Sequence, residues 1–173
     1  MRITETELCT LDIEWYGVDR RGNIAVFCSG GAANVPEFVC ESMERVDMLI
    51  DFFDKFPRKS ECMILFEPSK KNPLPQQVAE SFAGKGLFYY DSDDMKGKAK
   101  NVAVCQKYYT QNAYPLPPLK LDELPRAIRE ILEKQRLDVE DFSRAECIEV
   151  AQGEVKHEPI EFTDEKGNRY VVP

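Results

Sequence analysis

Apolar and polar positions along residues 13–31 fall into two short β-type runs joined by a polar turn and closed by a double glycine. Ile13, Trp15 and, less cleanly, Gly17 alternate with Glu14, Tyr16 and Val18, and β-branched and aromatic residues dominate, which predicts a strand rather than a helix. Asp19-Arg20-Arg21-Gly22-Asn23 supplies turn chemistry, with Gly22 or Asn23 able to take a positive φ at little cost. Residues 24–28 return as an almost wholly apolar strand, so the hairpin belongs in the middle of a sheet. The period then lengthens. Val39, Met43, Val46, Ile50 and Phe53 recur at steps of three or four, which predicts a helix over residues 36–56 packed on the sheet. Asn34 as cap, Pro36 in the first turn and Glu37 three residues after the cap mark its start.

Pro57 ends that helix, and residues 62–66 read as a buried strand. A short helix follows over residues 76–83, stopped by Gly84 or Gly86. Residues 87–90 and 101–110 read as strands of a second hairpin around a charged turn. Pro115, Pro117 and Pro118 make residues 113–121 an extended connector that a central strand would not accommodate. Asp122 is placed to cap a helix reaching residue 135, with Ile128 and Ile131 inward. Residues 139–173 read as short strands ending in a hairpin (160–163 and 169–172), and residues 1–12 as a polar lead-in. The expected fold is a single α+β domain: a mostly antiparallel sheet with two main helices, 36–56 and 122–135, packed on it. Trp15, Ile24, Phe27, Ile64, Leu65, Phe66, Val102 and Val104 are among the expected core residues.

Composition narrows the function classes. The chain has 173 residues, 43% hydrophobic and 31% charged, and no apolar run near the roughly 18 residues of a membrane span. Its start lacks the basic, apolar and small-residue regions of a signal peptide, so a cytoplasmic protein is expected. A net charge of −8 argues against a nucleic-acid backbone or an anionic membrane as partner and favours a basic protein. The six cysteines are dispersed without C-x-x-C spacing and His157 is the sole histidine. No metal site or cofactor is therefore expected, and the cysteines read as small buried hydrophobes.

Four clusters carry candidate chemistry. Ser29-Gly30-Gly31, between a strand and a helix, invites a phosphate or small-molecule site, and with it an enzyme, because free amides at a helix start attract anions. It matches neither nucleotide-binding glycine pattern, and a tight backbone crossing that only glycine allows is the favoured account. Asp91, Asp93 and Asp94 fail the calcium-loop template at Met95 and Lys96. Lys96, Lys98, Lys100, Lys107, Tyr108 and Tyr109 resemble a single-strand nucleic-acid surface, set beside those same aspartates. The remaining cluster is the polar side of the 36–56 helix, Glu37, Glu41, Glu44, Asp47, Asp51 and Asp54: a solvated face, or a docking surface for a basic protein.

The phrase I-E-W-Y-G-V-D-R-R-G-N-I-A-V-F-C-S-G-G-A-A-N-V-P, followed by G-L-F-Y-Y-D and A-Y-P-L-P-P-L-K-L-D-E-L-P, resembles a set of small bacterial proteins. Over residues 13–136 these are similar to the SUKH-type immunity proteins. That resemblance implies binding and neutralising of a toxin domain, and it transfers no catalytic residue. Together the readings predict a non-enzymatic protein-binding domain, with a ligand site at Ser29–Gly31 as the alternative and oligomeric state left open.

Overall fold

The computed structural model describes residues 1–92, 107–157, 160–163 and 165–172. Its centre is the predicted hairpin, β1 (Glu14–Val18) and β2 (Ile24–Cys28), antiparallel with Trp15 opposite Phe27 and Val18 opposite Ile24. Every residue of β2 is buried, because both faces of the sheet are covered. Strand β4 (Phe88–Ser92) runs parallel to β2, and β5 (Tyr108–Leu116) returns antiparallel to β4. The far side of β5 is shared end to end by β3 (Glu61–Ile64) and β6 (Cys147–Glu149). The result is a mixed, mostly antiparallel six-stranded sheet in an α+β fold.

On one face, Tyr16, Val26 and Tyr89 meet three helices: α3 (Met43–Asp54), α4 (Leu74–Gly84) and α5 (Arg126–Leu132). On the other, Trp15, Phe27 and Tyr90 meet Ile3, Val39 and Phe142. Trp15 stacks on Phe27 with centroids 4.0 Å apart and planes 6° from parallel. The strand period of two thus feeds two cores, one per face. A bulge at Tyr89/Tyr90 lets β5 change faces: Ala113 stands opposite Tyr89, while Gln111 stands opposite Tyr90.

Several expectations are corrected. The lead-in contains a helix, α1 (Glu5–Thr10), in which Thr4 and Glu7 form a reciprocal capping box. The 36–56 helix is two: α2 (Glu37–Cys40), then α3 after a break at Ser42, whose hydroxyl caps the Arg45 amide. Asn34 is no cap; its side-chain amide donates to the Val150 carbonyl. Pro125 stands just before α5, so the 122–135 helix becomes a 3-10 turn (Leu121–Glu123), α5 and a second 3-10 turn. Residues 113–116 are not a connector but the end of β5. Pro115 falls past the last β4 pair, where the strand has only β3 beside it, and a proline is tolerated there. Strand β3 is an edge rather than a buried strand, leaving Leu65 half exposed.

The terminal hairpin forms as predicted, β7 (Ile160–Thr163) against β8 (Arg169–Val172). Val102, Val104 and the start of the predicted 101–110 strand lie outside the described residues.

Candidate functional site

Helix α3 buries Val46, Leu49 and Phe53 against the sheet and turns Glu44, Asp47, Met48, Asp51 and Asp54 to solvent. Steps of three, four and three place the four carboxylates in one stripe, and half-exposed Met48 lies within it. Each like-charged neighbour pair costs about 0.2–0.5 kcal/mol. Asp51 and Asp54 also sit in the last turn, at the negative end of the helix dipole, with no basic residue in that turn and Lys55 only at the cap. The C-terminal half of the stripe is thus built against the stability of its own helix, whereas Glu44, in the first turn, is favourably placed.

The six predicted docking residues do not act as one surface. Glu37 is on α2, where its carboxylate pairs with Arg2 at 2.7 Å and accepts from the Glu154 amide at 2.7 Å. Those contacts hold its pKa below the ordinary carboxylate value. Glu41 pairs with Arg45 at 2.6 Å. Glu44 pairs with the amino group of Met1 and accepts from the Ser42 hydroxyl. Asp47, Asp51 and Asp54 have no ion pair among the described residues, so the unneutralised part of the face reduces to these three.

The Ser29–Gly31 loop has its polar groups engaged internally. The buried Ser29 hydroxyl accepts from the Ile13 amide at 2.8 Å, and the Gly30 amide donates to the Asp12 carboxylate at 2.7 Å. Ala32 and Ala33 both donate to the Ser29 carbonyl. Gly30 and Gly31 take φ of +61° and +70°, a conformation that glycine adopts freely. An incoming phosphate would have to displace Asp12, itself an anion. No protein-family model, curated protein or solved structure matches the chain. The site must therefore be judged on its own chemistry.

Beside that loop lies a row that pattern reading missed. Glu14 stands opposite Cys28, and Cys28 beside Asp91, so carboxylate, thiol and carboxylate share one face of three adjacent strands. At about 4.8 Å per strand, the outer two lie roughly 10 Å apart at the backbone. The Tyr16 hydroxyl donates to Glu14, and the Tyr89 hydroxyl to Asp91 at 3.1 Å. Burial, then Asp12, Glu14 and Asp91, push the Cys28 thiol well above its ordinary pKa. It stays a protonated thiol and is a poor nucleophile at neutral pH. The hairpin register, legible from the turn, would have paired Glu14 with Cys28; the parallel neighbour Asp91 would not have followed.

Burial also raises the Glu14 pKa; the Tyr16 hydroxyl opposes this and Asp54 adds to it. A carboxyl whose folded pKa exceeds its unfolded value holds its proton more tightly in the native state, so its contribution falls as pH rises from the ordinary carboxylate range through the raised value. Glu14→Gln removes that liability while leaving an acceptor for Tyr16. The variant should melt about 1–2 °C above the wild type at neutral pH, and the gain should vanish at acid pH where Glu14 is protonated in both states. Paired melts at the two pH values check this.

His157 is exposed and 2.9 Å from Glu5. Lys107 pairs with Glu149 at 2.9 Å and lies over the Tyr108 ring, while Tyr109 is fully buried, which removes both rings from a common stacking surface. Asp93, Asp94, Lys96, Lys98 and Lys100 lie outside the described residues. Cys28 and Cys40 are buried as expected, but Cys9 and Cys147 are exposed. Among the described residues no three His, Cys, Asp or Glu side chains gather as a metal site, and no helix is long and apolar enough to cross a membrane.

Proposed function

We propose that the chain is a non-enzymatic protein-binding domain that docks a basic partner on the outer face of α3. The observation that carries this reading is the stripe of Asp47, Asp51 and Asp54: exposed, without ion pairs among the described residues, and with Asp51 and Asp54 set where the helix dipole disfavours them. Met48, 50% exposed among them, supplies an adaptable apolar contact, and apolar contact within a charged surround is the usual anatomy of such interfaces. A toxin domain, the partner class of the SUKH-type proteins that the chain resembles, is the first form of partner to test.

The reading separates function from stability in one substitution. Asp51→Lys introduces a cation into the last turn of α3, four residues after Asp47 and three before Asp54. It should leave the melting temperature equal or about 1–2 °C higher, yet abolish docking. The measurement is capture from host lysate at low and high salt, wild type beside Asp51→Lys, with captured proteins identified by mass spectrometry. A basic protein held by the wild type at low salt, released by high salt and never held by the variant supports the proposal. Identical captures by both proteins would sink it.

A further inference from the structure

A cleft of about 380 Å³ opens to solvent between the segment that follows α3 and one side of α4, lined by Phe56, Arg58, Gln77, Glu80, Ser81 and Lys85. Small-molecule sites span roughly 300–1,000 Å³, so the space suits a compact ligand. Its lining brings two cations and one carboxylate together. Arg58 and Lys85 have no ion pair among the described residues, a condition they share with Arg129, Arg144 and several surface lysines, but these two line one cleft.

Arg58 is also placed rather than merely exposed. Its Nε and Cζ lie 3.0 and 3.1 Å from where a Cβ on Gly84 would stand, so glycine at the end of α4 is what lets the guanidinium stem lie against that turn. The amides of Lys59 and Ser60 both donate to the Gly84 carbonyl, at 2.8 and 3.0 Å, and tie the segment after Arg58 to α4. The opposite charge comes from Glu80, whose carboxylate accepts from the Gln76 side chain at 2.8 Å. Phe56, packed on Phe52 and Phe53 at 5.5 and 6.0 Å, adds an aromatic wall. Gln77 and Ser81 offer further hydrogen-bonding groups.

Two uncommitted cations, one carboxylate and an aromatic surface in a single small cleft are the complement of a zwitterion. We propose that the cleft binds a free α-amino acid with an apolar or aromatic side chain. The ligand carboxylate is held by Arg58 and Lys85, its ammonium by Glu80, and its side chain lies on Phe56. An arginine fork matches a carboxylate in two parallel hydrogen bonds, which makes Arg58 the principal contact. This inference uses residues apart from the acidic α3 stripe and stands or falls independently of it.

An amide NMR titration of the full chain tests the proposal, with phenylalanine, phenylacetate, phenethylamine and inorganic phosphate as probes. Phenylalanine should shift the amides of residues 77–85 saturably, with a dissociation constant on the order of 1 mM. Phenylacetate and phenethylamine, each lacking one charge, should bind at least about tenfold more weakly. Arg58→Gln should weaken phenylalanine by a similar factor, and Glu80→Gln should weaken phenylalanine while leaving phenylacetate unchanged. Thermal melts of both variants confirm that they remain folded. Absence of saturable shifts, equal shifts with phosphate, or binding indifferent to Arg58→Gln would overturn the assignment.

Discussion

Asp19→Ala is expected to destabilise the protein by about 3–5 kcal/mol, a large share of the roughly 5–15 kcal/mol typical of a folded domain. Asp19 is fully buried. One carboxylate oxygen accepts from the backbone amides of Arg21 and Asn23 at 2.9 and 2.8 Å; the other accepts from the Asn23 side chain at 2.7 Å and the Phe142 amide at 2.8 Å. Alanine would leave the Asn23 and Phe142 donors without an acceptor in a buried place, and each orphan costs about 1–3 kcal/mol. Asp19→Asn should cost less, because an amide keeps one accepting oxygen but turns a donor toward the other donors. Urea unfolding of both variants measures the difference. A loss below about 1 kcal/mol for Asp19→Ala would show that the carboxylate is not what holds the turn.

That turn does more than reverse the chain. The Arg20 amide donates to the Val139 carbonyl at 2.9 Å, its guanidinium pairs with Asp138, and Arg21 pairs with Asp141 at 3.1 Å. Leu137 donates to the Val18 carbonyl at 2.9 Å, and Lys120 donates to the Asn23 side chain at 2.6 Å. A polar stretch read as Asp-x-x-Gly-Asn turn chemistry is thus the place where residues 136–142 are tied across the end of the central hairpin. The turn was legible because its chemistry is local: Gly22 takes φ of +76°, and Asp19 bonds amides two and four residues on. Its role as an anchor was not, because nothing in the spacing of Asp19 announces Phe142 as a partner.

The same division runs through the rest of the molecule. The α+β class and the central hairpin were legible, since both follow from short-range periodicity. The boundaries at Ser42 and Pro125 were not, because an apolar stripe runs through each break and the stripe alone does not report where the backbone ladder stops. Leu65 was misplaced for a related reason: a short apolar run does not distinguish a strand covered on both faces from an edge strand. At the candidate site, Asp47, Asp51 and Asp54 were legible as one side of a helix. Glu37 was read with them, although Arg2 and the Glu154 amide occupy it in the fold. The cleft was invisible in the sequence because Arg58, Glu80 and Lys85 come together only when the segment between α3 and β3 is tied to the end of α4.

Phe142→Ala is the second substitution with a large expected effect, about 3–5 kcal/mol. The ring is fully buried and meets Phe27, Phe88 and Tyr90, with centroids 6.3, 5.8 and 5.8 Å away. Its backbone is clamped as well: the carbonyl accepts from the Gln111 side chain at 2.8 Å and from the Tyr90 hydroxyl at 3.3 Å, while the amide donates to Asp19. Alanine leaves the backbone groups in place and removes only the ring, so the cost is that of a cavity beneath residues 136–150. Those residues should then open locally before the sheet unfolds, giving faster amide exchange there than in β2. Because Asp19 and the Phe142 ring hold the same segment, the double variant Asp19→Ala/Phe142→Ala should lose less than the two single losses added, by about 1 kcal/mol or more. Strict additivity in a double-mutant cycle would mean that the turn and the aromatic cluster stabilise the fold separately, and that the segment is not one unit.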